Sequence, residues 1–149
     1  MTNKFDTAVF NGTEDSFNEL ILDLSKTLVL EKKPVNYKPK QIKSELSSKL
    51  IQNNWIPKLK VFDNNNSYIH FVKNKIGLNI QMGHFGQSYV DFLKFETAYT
   101  KNKINSGVMV LLDKELAKKG NHSNFQDSQQ NLNEFSKFLN CPLVLIKLI

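Results

Sequence analysis

The stretch "YIHFVKNKIGLNIQMG", residues 68–83, carries side chains with real chemical capacity at an orderly spacing. His70 offers an imidazole that can take a proton, donate one or ligate a metal, and Asn79 and Gln81 offer neutral amides. A tight turn at Asn74 and Lys75 pairs Lys73 with Ile76 and sets His70 across from Asn79. Tyr68 then stands opposite Gln81 on the same face, while Ile69, Phe71, Leu78 and Ile80 form a core face. Such a polar group is either the wet side of an antiparallel sheet or the wall of a cleft.

The flanking elements bear on that choice. In "TEDSFNELILDLSKTLVL", Thr13 can cap a helix whose Phe17, Leu20, Ile21, Leu24 and Leu28 recur at helical spacing. Pro39 suits the first turn of a second helix reaching about Asn53, with Ile42, Leu46 and Leu50 on one stripe. "KLKVFD" reads as a strand before the hairpin, with Leu59 and Val61 on one face. "FGQSYVDFLKFETAYTK" reads as a well-buried helix through Tyr89, Phe92, Leu93 and Phe95. "GVMVLL" has the continuous apolar character of a strand covered on both faces. A last helix turns Leu132, Phe135 and Leu139 inward, and "PLVLIKLI" makes a final buried strand. This order fits an α/β fold with a mixed central sheet flanked by helices, in a single domain over 1–149. A sheet covered on both faces makes a polar cluster within it the sign of a cleft.

Composition narrows the partner. The chain of 149 residues carries a net charge of +6, and all 20 of its basic residues are Lys. A basic surface suits a polyanion such as DNA, while the lack of Arg removes the usual bidentate reader of guanine. A hydrophobic fraction of 40% with 11 Phe indicates a folded globular protein. No apolar run approaches the roughly 18 residues that span a bilayer, so no membrane partner is expected. Acidic residues stand where a signal peptide needs apolar ones, which points to the cytoplasm. The lone Cys141 permits no internal disulfide and reads as a buried, inert thiol.

From about Trp55 to Ile149 the sequence resembles the BglII-like type II restriction endonucleases, a branch of the PD-(D/E)xK nuclease superfamily. The hairpin ending in "NIQMG", the helix with Asp91 and Lys94, "SGVMVLL", "DKELAKKG" and "PLVLIKLI" carry the resemblance. It implies a restriction-endonuclease-like α/β/α sandwich, Mg²⁺-dependent hydrolysis of duplex DNA when the site is active, and a homodimer on a short palindrome. It also implies an active site with Asp on the first strand of the hairpin, Glu nine residues later and Gln two beyond that. In this sequence the Asp position is His70, the Glu position is Asn79, and Gln81 is kept.

Spacing is thus preserved while both carboxylates are gone. Magnesium prefers anionic oxygen ligands, and an imidazole beside a neutral amide supplies none. No metal ligands and no cofactor are therefore expected, apart from Mg²⁺ if the nuclease works. Asp63, Asp91, Glu96 or Glu45 are candidates to lend a carboxylate, and His70 is a candidate metal-free base. The favoured function is a pseudoenzyme that binds duplex DNA, with Lys73, Lys75, Lys101, Lys103 and the 32–43 basic run on phosphates. The alternatives are an active type II endonuclease and a protein-interaction partner that reuses the fold. The chain is short for the family, which leaves little room for base-reading loops.

Overall fold

A computed structural model describes residues 6–148, and in it six strands join in the order β1-β6-β5-β4-β3-β2. They are β1 (Asp6–Phe10), β2 (Ile56–Lys60), β3 (Tyr68–Lys73), β4 (Ile76–Ile80), β5 (Ser106–Leu111) and β6 (Leu143–Lys147). The helices are α1 (Asn18–Thr27), α2 (Pro39–Gln52), α3 (Gln87–Thr100), α4 (Lys114–Ala117) and α5 (Phe125–Phe135). β4, β5 and β6 run parallel, and the outer pairings are antiparallel, so the sheet is mixed as expected. The final residue of "PLVLIKLI", Ile149, lies outside the described residues.

Alternation along the central strands divides the core into two layers. Leu78, Ile80, Val108, Val110, Val144 and Ile146 point to one face, which Leu24 of α1 and Ile42, Leu46 and Leu50 of α2 cover. Met109, Leu111, Leu143 and Leu145 point to the other, under Phe92, Phe95 and Ala98 of α3 and Phe125 and Leu132 of α5. β5 is buried along its whole length because helices lie on both sides, which is why it reads as an unbroken apolar run. Gly107 lets α3 come this close, since a Cβ there would sit 2.7 Å from the Phe95 ring. Cys141 is fully buried in this second layer, and burial pushes its thiol up to about 12.

Several expectations need correction. β1 has no counterpart in the sequence reading; as an edge strand it buries fully only Ala8, too little to show a pattern. Leu93 is 63% exposed, because it sits about 100° round the helix from Phe92. Phe135 is 41% exposed and rests edge-on against Tyr89 instead of entering the core. β2 starts two residues ahead of "KLKVFD", leaving Val61 buried just past its end.

Candidate functional site

The hairpin forms on the expected register, with Lys73 paired to Ile76 and Phe71 to Leu78. Asn74 and Lys75 both adopt positive φ, as a tight hairpin turn of right-handed twist demands. Beyond Phe71 and Leu78 the regular ladder stops. Ile69 does not share a layer with Phe71: it packs in the α3 layer beside Val61, so alternation in β3 breaks at His70. On the neighbouring strand, Lys58 falls between the pairs Pro57–Phe71 and Leu59–Ile69 and has φ 64°. Both strands are distorted at this level.

Side chains take over the ladder's work at the break. The His70 backbone N–H donates to Asn79 Oδ1 at 2.7 Å, and the Ile80 N–H donates to His70 Nδ1 at 3.1 Å. Each of the two facing residues thereby satisfies the other strand's backbone. Because Nδ1 accepts, the neutral ring carries its proton on Nε2. Burial first, then the nearby Lys43 and Lys94, lower the His70 pKa from 6.5 to about 4, so the ring is neutral at physiological pH.

Gln81 follows β4, its N–H extending the parallel ladder to the Val110 carbonyl at 2.9 Å. Its Oε1 accepts from the Gly83 N–H at 2.8 Å, and its Nε2 donates to Asp91 Oδ2 of α3. A Cβ on residue 83 would lie 2.8 Å from that same Oε1, so a larger residue there would require the Gln81 amide to shift. Asp91 is 2% exposed. Burial raises its pKa, opposed by the hydrogen bond from Gln81, by Asn79 and by the charges of Lys94 and Lys43. The Asn79 Nδ2, though it faces Asp91 closely enough to favour that charge, is buried without a hydrogen bond.

These groups open onto a cleft of about 540 Å³ between the start of α2 and the flank of α3. Pro39 at the first turn and the Gln41 side chain, which accepts from the Lys38 N–H at 2.8 Å, fix the start of α2. That end brings Lys38, Lys40 and Lys43 to the cleft, and α3 adds Lys94. His122, from the segment between α4 and α5, forms part of the wall and had no signal in the sequence beyond its residue type.

The structure thus brings His70, Gln81 and Asp91 to one cleft, with Asn79 buried directly behind them. Tyr68 is half-buried and lies outside the cleft lining. Lys73, Lys75, Lys101 and Lys103 also lie outside it. Lys73 Nζ donates to the Asn53 carbonyl at 2.9 Å. Lys101 and Lys103 donate to the Val61 and Lys60 carbonyls and approach Asp63 at 3.9 Å. Lys75 is exposed at the turn. Of the four acids that could have lent a carboxylate, only Asp91 reaches the cleft. Glu96 accepts from the N–H groups of Asn140 and Cys141, and Glu45 from Tyr37 Oη.

Magnesium calls for several oxygen ligands in near-octahedral array, at least one or two of them anionic. Here His70 Nδ1, Asn79 Oδ1 and Gln81 Oε1 each already accept a backbone N–H, and one buried carboxyl remains. Among the described residues no three His, Cys, Asp or Glu side chains gather as a cation site. This donor set does not fit Mg²⁺.

Comparison with known proteins gives the architecture its relatives. Restriction endonuclease BglII complexed with a DNA 16-mer matches with a TM-score of 0.84 at 16% identity, over 98% of this chain and 78% of that one. Free BglII matches with a TM-score of 0.71 at 16% identity, over 98% of this chain and 79% of that one. These likenesses establish the fold as that of the restriction endonucleases. No curated protein sequence matches significantly. Residues 7–148 match the family described as restriction endonuclease BglII/BglIII, which spans both core layers and the whole cleft, and the chain belongs to that family.

Proposed function

We propose that this chain binds duplex DNA in the cleft, as a homodimer, and does not cleave it by the metal-dependent route of its family. One observation carries the reading: at the two carboxylate positions the accepting atoms of His70 and Asn79 are engaged by backbone N–H groups. A base must have a free lone pair, and the outward nitrogen of His70 holds a proton. Water activation at that ring therefore has no acceptor. The net charge of +6 and the four lysines around the cleft support retention of a polyanion. That BglII is complexed with DNA supports duplex DNA as that polyanion.

Exposed Val90 and Leu93 on α3, with Phe135 edge-on against Tyr89 of that helix, offer an apolar face for a second copy. No helix among the described residues is long and apolar enough to cross a membrane. The proposed action on DNA takes place in the cytoplasm.

Fluorescence anisotropy on labelled duplex across a salt series tests binding. Engagement of the four cleft lysines predicts a slope of log affinity on log salt near about −4 per protomer. Plasmid incubated with Mg²⁺ or Mn²⁺ is expected to stay uncut, and H70D/N79E is expected to gain cutting. Absence of duplex affinity at low salt, above all with stable association to another protein, would replace this reading with a protein-interaction role. Plasmid cutting by the unmodified chain that His70→Ala abolishes would make it a working endonuclease.

A further inference from the structure

We propose that the cleft seats a DNA backbone phosphate without any divalent cation, using the ammonium groups of Lys43 and Lys94 for charge and the His70 Nε2–H as a directed donor. The inference rests on the DNA reading above only for the source of the phosphate. Three observations lead to it.

The first is which lysines are already engaged. Lys73, Lys101 and Lys103 spend their ammonium groups on carbonyl oxygens, and Lys114 and Lys147 are paired with carboxylates. Among the described residues, Lys43 and Lys94 have neither a hydrogen-bond nor an ion-pair partner, although both act on His70 and Asp91. They approach from the two helical layers, Lys43 on α2 and Lys94 on α3, so an anion between them meets positive charge on both sides. Their summed charge equals that of one divalent ion.

The second is the fixed orientation of His70. Its Nδ1 is held by the Ile80 N–H, which leaves the Nε2–H as the ring's remaining polar atom, on a residue that lines the cleft. A neutral donor held by the backbone costs little reorganisation when an oxyanion arrives. The third is the state of the one acid. Asp91 would repel a phosphate, but it is buried, its Oδ2 is bound to Gln81 Nε2, and burial favours its neutral form. Two ammonium groups can hold a phosphate as point charges, yet they offer no metal-bound water. The seat binds without activating.

The test uses the full chain in EDTA, with imidazole ¹⁵N NMR of His70 and duplex anisotropy measured side by side. Added inorganic phosphate is expected to shift the His70 Nε2 signal, and K43Q or K94Q to remove that shift. Each of these variants should weaken duplex binding by roughly tenfold at low salt, and Lys94→Arg should restore it. EDTA should leave the affinity of the unmodified chain unchanged. H70D/N79E, which places carboxylates against the phosphate, should lose affinity in EDTA and recover it with Ca²⁺. A K43Q/K94Q double variant that keeps its fold and its full duplex affinity would overturn the seat while leaving DNA binding intact. A phosphate response without duplex affinity would uphold the seat and overturn the DNA reading instead.

Discussion

The two ends of the β3–β4 hairpin solve one problem in different ways. At the turn end, backbone pairs with backbone: Lys73 meets Ile76, Phe71 meets Leu78, and Asn74 and Lys75 close the loop with positive φ. At the open end the strands part, and the Asn79 amide and His70 imidazole stand in for the missing carbonyls. Polar side chains there act as pieces of the sheet. An atom so engaged is no longer available as a ligand or base.

The largest effect is expected where neither end is polar. Leu78→Ala, within the last regular pair and fully buried, should cost about 2–5 kcal/mol by urea unfolding, through lost burial and an unfilled cavity. A loss well under that would mean the regular end is not what anchors the hairpin.

Acid should act selectively on the open end. The unfolded chain protonates His70 from pH 6.5 downward, while the folded chain holds it neutral to about 4. The unfolded state therefore binds more protons in that window, and stability falls as pH drops from 6.5 towards 4, by up to about 3 kcal/mol. Asp91, whose folded pKa is raised, works in the opposite sense, and His70 is not among the groups that shift it. His70→Gln keeps an acceptor without titrating, so its stability curve should flatten across this window. Identical pH profiles for the two proteins would remove His70 from the account.

Asn79→Ala comes next. It leaves the part-buried His70 N–H without an acceptor, at about 1–3 kcal/mol, offset in part by removing the unpartnered Nδ2. Hydrogen exchange should then quicken at the His70 and Ile80 amides while those of Phe71 and Leu78 keep their protection. Uniform quickening along the hairpin would erase the distinction between its ends.

The smallest change belongs to the turn. Lys75→Gly relieves a side chain held at φ 62° and should stabilise by about 0.5–1 kcal/mol in thermal unfolding, with the cleft undisturbed. Destabilisation would show that the Lys75 side chain does more than sit in solvent.

Much of this was legible in the chain itself. Period-two alternation and the turn residues set the hairpin register, helical spacing located α2 and its buried stripe, and the run "GVMVLL" announced a strand covered on both sides. These are local signals, each carried by residues a few positions apart. Residue type alone also established that the two facing positions carry no carboxylate. Leu93 and Phe135 stay exposed despite their apolar spacing because a helix's apolar width does not reveal where its neighbour stops. β1 escaped because an edge strand that buries one residue leaves no periodic trace.

Tertiary structure decided the rest. Which lysines face the cleft depends on the packing of α2 and α3 on opposite sides of the sheet, residues some fifty positions apart, and no local pattern encodes that distance. The break in alternation at His70, and the capture of its Nδ1 and of the Asn79 oxygen by backbone N–H groups, arise only when two strands are laid side by side. The sequence determined which groups stand at the site, and the fold determined which of their atoms remain free to act.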